Sequence, residues 1–410
     1  MNKKPRTGCY HCGSDDHRAK HCPESVCRKC GGKGHDVGGC PLEEEKVDKG
    51  SFEPAPASCK FLYIGLFAGI GGFRIALDRL GGHCVFASEI DRFARANYEL
   101  NHLDRPAGDI TKISEDLIPD HDLLVGGFPC QTFSSSGALQ GFNDDRGVLF
   151  LEIVRILKFR QPKAVLLENV RGLLTHDEGR TLKVILSKLE EAGYVMQHQV
   201  LDAVNLVPQE RKRIYLIGIR KDLWTAEAYQ FPDVPCWTRG FADIMDRNLD
   251  AEDVKQLVLS EHQLQKVRSQ RYTQRFPDAR FLSDVCAPIK TLQSSYASYM
   301  VGSQFVPVEG TRAGNQDGWR KLSPTEAARL QGFPETFRLC RARPYHLPGN
   351  AVVPSMIAFV VAPLLTVLDS SMDKANAKAR GWQVTKAFCW RLVPQLIVPR
   401  IYCCSRTDIP

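Results

Sequence analysis

The stretch "FLYIGLFAGIGGFRIALDRLG", residues 61 to 81, constrains the fold more than any other part of the chain. An unbroken apolar run leads into a glycine-rich turn and then into a helical pattern with apolar Phe73, Ile75, Ala76, Leu77 and Leu80. A strand that is apolar on both faces has to be covered on both faces. The turn carries Gly69, Gly71 and Gly72, which let the backbone approach a ligand closely at a helix N-terminus. Further strand and helix patterns follow in "CVFASEID", "HDLLVGGF", "VLFLEIVRILKF", "KAVLLENV", "TLKVILSKLEEAG" and "RIYLIGIR". Such alternation predicts an α/β domain on a doubly wound parallel sheet. Carboxylates fall at strand ends. Glu89 lies about twenty residues past the glycine turn, where an acid accepts hydrogen bonds from ribose hydroxyls. Asp109 closes a third element at "GDI" and is offered to an adenine amino group. For either carboxylate alone, a solvated helix cap is the competing reading.

The 410 residues have room for two or three domains, and a net charge of +7 permits a nucleic-acid partner without demanding one. The N-terminus lacks the apolar stretch of a secretory signal, and the best apolar run, "AFVVAPLLTVL", is short and holds a proline. These features predict an intracellular protein with no membrane partner, nuclear if the source is eukaryotic. In a reducing compartment its 15 cysteines are thiols or metal ligands rather than disulfides.

Six of those cysteines precede residue 41, in "CYHCGSDDHRAKHC" and "CRKCGGKGHDVGGC". Both read C-x2-C-x4-H-x4-C, with candidate ligands Cys9, Cys12, His17 and Cys22, then Cys27, Cys30, His35 and Cys40. Three thiolates and an imidazole close a tetrahedral site, which suits two structural Zn2+ ions and leaves no open position for catalysis. A segment this short has no core of its own, so metal binding would supply its folding energy. Both blocks (residues 8–41) resemble zinc knuckles of the retroviral nucleocapsid type. That resemblance implies single-stranded DNA or RNA binding, with Tyr10 and Arg28 as the stacking side chains. A protein-binding or purely structural pair is the other reading. Residues 42–58 are acidic, then rich in Pro and Ala, and read as a linker.

"GGFPCQTFSSSG" raises a separate question. A structural cysteine normally sits among apolar neighbours. Cys130 instead follows a strand and a glycine turn and precedes a polar, glycine-rich segment. A thiol there suggests a nucleophile beneath a mobile lid, against the simpler reading of a loop cysteine.

"FAGIGG", "GGFPCQTFS", "LLENVRGLL", "VPQERKRIYLIG", "RKLSPTEAARLQGFP" and "GNAVVP" occur in the order found in DNA (cytosine-5)-methyltransferases, a family that residues 61 to 369 resemble. The resemblance implies a Rossmann-like, S-adenosylmethionine-dependent methyltransferase fold with a smaller target-recognition domain. It implies a catalytic domain at 59–220 and 321–369, with the recognition domain at 221–320 and a tail of uncertain order at 370–410. It also implies transfer of a methyl group from S-adenosylmethionine to C5 of a cytosine flipped out of double-stranded DNA. Because C5 is a poor nucleophile, a thiolate must first add at C6, and this is the role implied for Cys130. Glu168 is implied to serve N3 and the N4 amino group, with a raised pKa suiting an acid at that step. Arg213 is implied to hold the base and orient Glu168, and Arg211 to steady the closed loop. Implied cofactor contacts are Phe67, Gly69, Ile70, Gly71, Glu89, Asp109, Ile110, Leu149, Asn350, Ala351 and Val352. Gln131, Ser134, Gln209, Thr291 and Leu292 are placed on the nucleic-acid side, and the catalytic unit is implied to be a monomer. Leu347 departs from the pattern, since relatives usually carry Gln there. Two other readings stay open: an RNA cytosine-5 methyltransferase, and an inactive nucleic-acid-binding relative.

Overall fold

The computed structural model describes residues 48–129, 147–225, 228–233, 239–275, 280–299, 302–308, 318–340 and 342–368. All but Asp48 belong to one compact unit, Lys49–Pro410. The eight candidate zinc ligands, Tyr10, Arg28, Cys130, Gln131, Ser134 and the tail at 370–410 lie outside the described residues.

The chain runs β1 (Phe61–Leu66), α1 (Gly72–Arg79), β2 (Gly82–Ser88), α2 (Arg92–His102), β3 (Leu123–Gly126), α3 (Gly147–Arg160), β4 (Ala164–Val170) and α4 (Arg180–Glu191). Then come β5 (Tyr194–Asp202), β6 (Gln209–Glu210) and β7 (Lys212–Arg220). Six strands form one sheet in the order β2-β1-β3-β4-β7-β5. Side chains alternate across it as the two-residue period requires. Tyr63, Val125, Leu166 and Ile217 face one core with Phe73, Ala76 and Leu77 of α1. Ile64, Leu124, Val165 and Leu216 face the other with Ile153, Leu157 and Ile185 of α3 and α4. The doubly wound reading holds in this respect.

The sheet is mixed rather than parallel. β7 runs antiparallel to both β4 and β5. Only residues 203–211 link β5 to β7. A parallel return needs a crossover of about a dozen residues or more, so the chain doubles back and β7 enters between β4 and β5. β5, "YVMQHQVLD", carries polar Gln197, His198 and Gln199 on a half-exposed edge, so its apolar signal is weak. The element ending at "GDI" is not a strand of the sheet. It makes one bridge to the sheet, Ser88 to Ala107, and continues into a 3-10 turn at Ile110–Lys112.

Part of the stretch read as a linker is docked. Ser51 exchanges backbone hydrogen bonds with Arg105 at 2.9 and 3.0 Å, and the Phe52 ring lies 6.1 Å from Phe86.

The second half contributes α5 (Ala251–Leu257), α6 (Glu261–Arg268), α7 (Arg271–Arg275), β8 (Ile289–Lys290), β9 (Val306–Pro307), β10 (Trp319–Arg320) and α8 (Pro324–Leu330). Phe241, Ile244, Leu292, Tyr296 and Val306 form a separate core with Leu322, Leu330 and Tyr345. β6 pairs with β8 in parallel, joining that core to the large sheet. α9 (His346–Asn350) and α10 (Pro354–Val361) lead back to the large core, where α10 packs on α1. His346–Leu368 has the length and hydropathy of a membrane span, contrary to the sequence reading, yet 89% of its most apolar window is buried inside the fold.

Candidate active site

A cleft of about 550 Å3 opens beyond the carboxyl ends of β1, β2, β3 and β4. Strand order reverses direction around β1 and β3, and open α/β sheets bind ligands at such a switch point. One wall is braced by Glu89. Its Oε2 accepts from the Gly69 N–H and its Oε1 from the Asp91 N–H, both at 2.8 Å. Burial pushes this carboxyl upward although those donors favour its charge. Asp109 both lines the cleft and caps the 3-10 turn, its Oδ1 accepting from the Thr111 N–H at 3.0 Å.

The glycine turn divides its work. Gly69 has φ +56° and nothing within 4 Å of where a Cβ would lie, so it presents open backbone to the cleft. Its neighbour Phe67 holds φ 54°, a costly left-handed conformation for a residue with a side chain, at the cleft wall. Gly71 has φ +88°, and a Cβ there would fall 2.1 Å from His102 Nε2. Gly71 therefore serves helix packing. Ile70 is buried with Ala94, Phe333, Leu347 and Ala351, while Val352 belongs to the core beside α10. Of the expected cofactor contacts, Phe67, Gly69, Glu89, Asp109, Ile110, Leu149 and Asn350 line the cleft. Ile70, Gly71, Ala351 and Val352 are not among the lining residues. Sequence spacing cannot tell a lining residue from its neighbour in the chain.

These walls fit a nucleoside cofactor. Glu89 offers a carboxylate to vicinal hydroxyls, and Ile90, 71% exposed on the lining, offers an apolar face to a purine.

The floor is formed by the end of β4. Glu168 is buried, with Arg213 Nε 3.1 Å from its Oε1. Burial raises the Glu168 pKa, and the nearby Arg213 and Arg211 charges pull it back only in part. Arg213 pairs with this carboxylate directly, whereas Arg211 acts on it through its charge. Arg211 is 2% exposed and donates to the carbonyls of Leu292 (3.3 Å), Gly349 (3.1 Å) and Ala351 (2.7 Å). Burial and Arg213 push its pKa down to about 9, which still leaves it charged at neutral pH. It fastens the small core and the Asn350 turn to the sheet.

Three residues expected on the nucleic-acid side have other partners. Gln209 is fully buried, accepting from the Leu292 N–H at 2.8 Å and donating to the Leu330 carbonyl at 3.0 Å. Thr291 donates to the Glu210 carbonyl, and Leu292 is buried in the small core. Asn169 was not foreseen. Its Nδ2 donates to the Phe128 carbonyl at 3.0 Å, holding the chain two residues before Cys130. Its position directly after Glu168 in "LLENV" was the available signal. Pro129 lines the cleft, so the described chain enters this site just before Cys130.

Residues 61–365 match the family model described as C-5 cytosine-specific DNA methylase, and the chain belongs to that family. The Type II methyltransferase M.DsaV of Dactylococcopsis salina is 38% identical over 322 residues, covering 77% of this chain and 89% of that protein. M.HhaI of Haemophilus parahaemolyticus is 36% identical over 312 residues, covering 73% and 92%. In structure the chain is similar to S. pombe Dnmt2 methyltransferase, with a TM-score of 0.61 at 20% identity over 75% of this chain and 99% of that one. Family and fold agree: the protein is an S-adenosylmethionine-dependent DNA cytosine-5 methyltransferase.

Proposed function

We propose that the enzyme methylates a cytosine flipped out of double-stranded DNA through a transient bond between Cys130 Sγ and C6. The observation that carries this reading is the buried Glu168, held by Arg213 at the floor of the cleft, where Pro129 leads into Cys130. Bound S-adenosylmethionine supplies an electrophilic methyl group. Glu89, Asp109, Gly69 and Asn350 would hold it. The Cys130 thiolate adds to C6, and the ring charge that develops at N3 is met by the proton on Glu168. Arg213 keeps that carboxyl aimed at the base. C5 takes the methyl group and S-adenosylhomocysteine is left. A solvent water then accepts the C5 proton, the C5–C6 double bond re-forms as Cys130 departs as thiolate, and N3 returns its proton to Glu168.

The test is methyl transfer to mixed-sequence DNA. Cys130→Ser should abolish transfer while cofactor binding survives, because an alcohol is scarcely ionised at neutral pH. A 5-fluorocytosine duplex should trap the wild-type enzyme covalently, since C5 then has no proton to lose. Full activity in the serine variant, or no trapping, would defeat the mechanism.

The N-terminal repeats add a second, separate part to the reading. The sets Cys9, Cys12, His17, Cys22 and Cys27, Cys30, His35, Cys40 each hold one structural Zn2+, supported by their identical ligand spacing. They recruit single-stranded nucleic acid, DNA or RNA, through Tyr10 and Arg28. Residues 221–320 serve target recognition, supported by the core that Phe241, Ile244 and Leu292 share with Leu322 and Leu330 and by the pairing of β8 with β6.

A further inference from the structure

We propose that Arg343 is a positioning residue for the cofactor cleft, clasping its two walls through Asp91 and so setting cofactor affinity. The inference rests on the cofactor reading above. Asp91 has three separate duties. Its N–H donates to Glu89 Oε1 at 2.8 Å, bracing the carboxylate that faces the cleft. Its Oδ1 caps α2, accepting from the N–H groups of Phe93 at 2.7 Å and Ala94 at 3.2 Å. Its Oδ2 pairs with Arg343 Nη1 at 2.7 Å.

Arg343 stands behind the opposite wall, 252 residues away in sequence. Its carbonyl accepts from the Leu347 N–H at 3.3 Å, opening the turn that carries Gly349 and Asn350 into the cleft. The guanidinium also lies over the Phe93 ring, 4.3 Å from its centroid. A planar cation is thus held on two sides, by a carboxylate and by an aromatic face. The side chain of Leu347, four residues on, joins the Ile70 cluster by apolar contact. One ion pair therefore connects the Asn350 turn to the residue that braces Glu89.

The pair is part-exposed, with side chains 39% and 32% accessible. Its effect is accordingly modest and depends on salt. The clasp acts on binding. Neither side chain lines the cleft, so the chemical step does not use it.

The test uses the full-length protein and S-adenosylmethionine titrated by calorimetry, without nucleic acid. Arg343→Gln should raise the dissociation constant about two- to five-fold at low salt, the range of an exposed ion pair. Asp91→Asn keeps the helix cap, because Asn caps as well as Asp, but loses the charge. It should weaken binding by a similar factor, and the double variant should be no worse than either single one. Arg343→Lys should recover part of the loss. Raising salt to about 0.5 M should narrow the gap between wild type and variants, since ions screen a part-exposed pair. In methyl-transfer assays the cofactor KM should rise while kcat at saturating cofactor stays put. Unchanged binding in Arg343→Gln overturns the clasp, as do fully additive effects of the two substitutions. So does a loss confined to kcat. A wild-type protein that fails to bind S-adenosylmethionine overturns the cofactor reading itself, a result distinct from wild-type binding with indifferent variants.

Discussion

Replacing Glu168 by Gln separates proton donation from shape. The amide keeps the size of the side chain and can still accept from Arg213, which sits 3.1 Å from the carboxyl oxygen. It cannot deliver a proton to N3. General acid catalysis contributes about 10²- to 10⁴-fold, or roughly 3 to 5 kcal/mol of barrier, and turnover should fall within that range. Single-turnover methylation of a duplex, with cofactor affinity measured alongside, isolates the effect. The pH dependence supplies a second reading. Burial raises the Glu168 pKa beyond what Arg213 and Arg211 offset. The protonated form therefore persists above the usual carboxylate range, and the wild-type rate should fall as pH climbs through the raised value. Glu168→Gln should lack that limb. The stability sign follows from the same shift. A carboxyl whose folded pKa is raised binds its proton more tightly in the native state. The stability it confers is fully present below the ordinary Glu pKa and is lost as pH rises through the folded one. Above that window the glutamine variant should withstand more denaturant than wild type, and in acid the two should converge. Activity within tenfold of wild type would remove Glu168 as the acid. A variant less stable than wild type at alkaline pH would show that the arginine pair outweighs burial.

Glu89→Ala should weaken S-adenosylmethionine binding by roughly 1.5 to 3 kcal/mol by calorimetry, the worth of a hydrogen bond to a charged group; NAD binding with comparable affinity would refute the assigned ligand. Gly71→Ala places a methyl against His102 at positive φ and should cost about 1 to 3 kcal/mol in urea unfolding; a neutral result would mean that α1 and His102 part easily. Metal analysis should return two Zn2+ per chain, and Tyr10→Ala should cost about 1 to 3 kcal/mol in single-strand binding. Zinc-free protein, or unchanged binding in that variant, would remove the respective part of the N-terminal reading.

Much of the site was legible because chemistry fixes residue type. A carboxylate after a glycine turn can be recognised in one dimension from its spacing, whereas Glu168 and its arginines came from the resemblance of the ordered motifs to a family. Glu89, Asp109, Glu168, Arg211 and Arg213 all line the same cleft. The two-faced sheet was legible for a related reason, since a strand apolar on both sides admits no other environment. Strand direction was not legible. β7 has the same apolar run whether parallel or antiparallel, and only the short return from β5 and the vacancy beside β4 decide its sense. Nor does sequence distinguish Gly69, open to the cleft, from Gly71, closed against His102. Gln209 shows the same limit from the polar side: its amide has hydrogen-bonding capacity for a nucleic acid, but folding commits it to Leu292 and Leu330. The pairing of Asp91 with Arg343 lay entirely beyond the sequence, because it joins two ordinary charges from opposite ends of the domain. Residue chemistry is written locally, whereas which atom faces the cleft depends on packing between segments far apart in the chain.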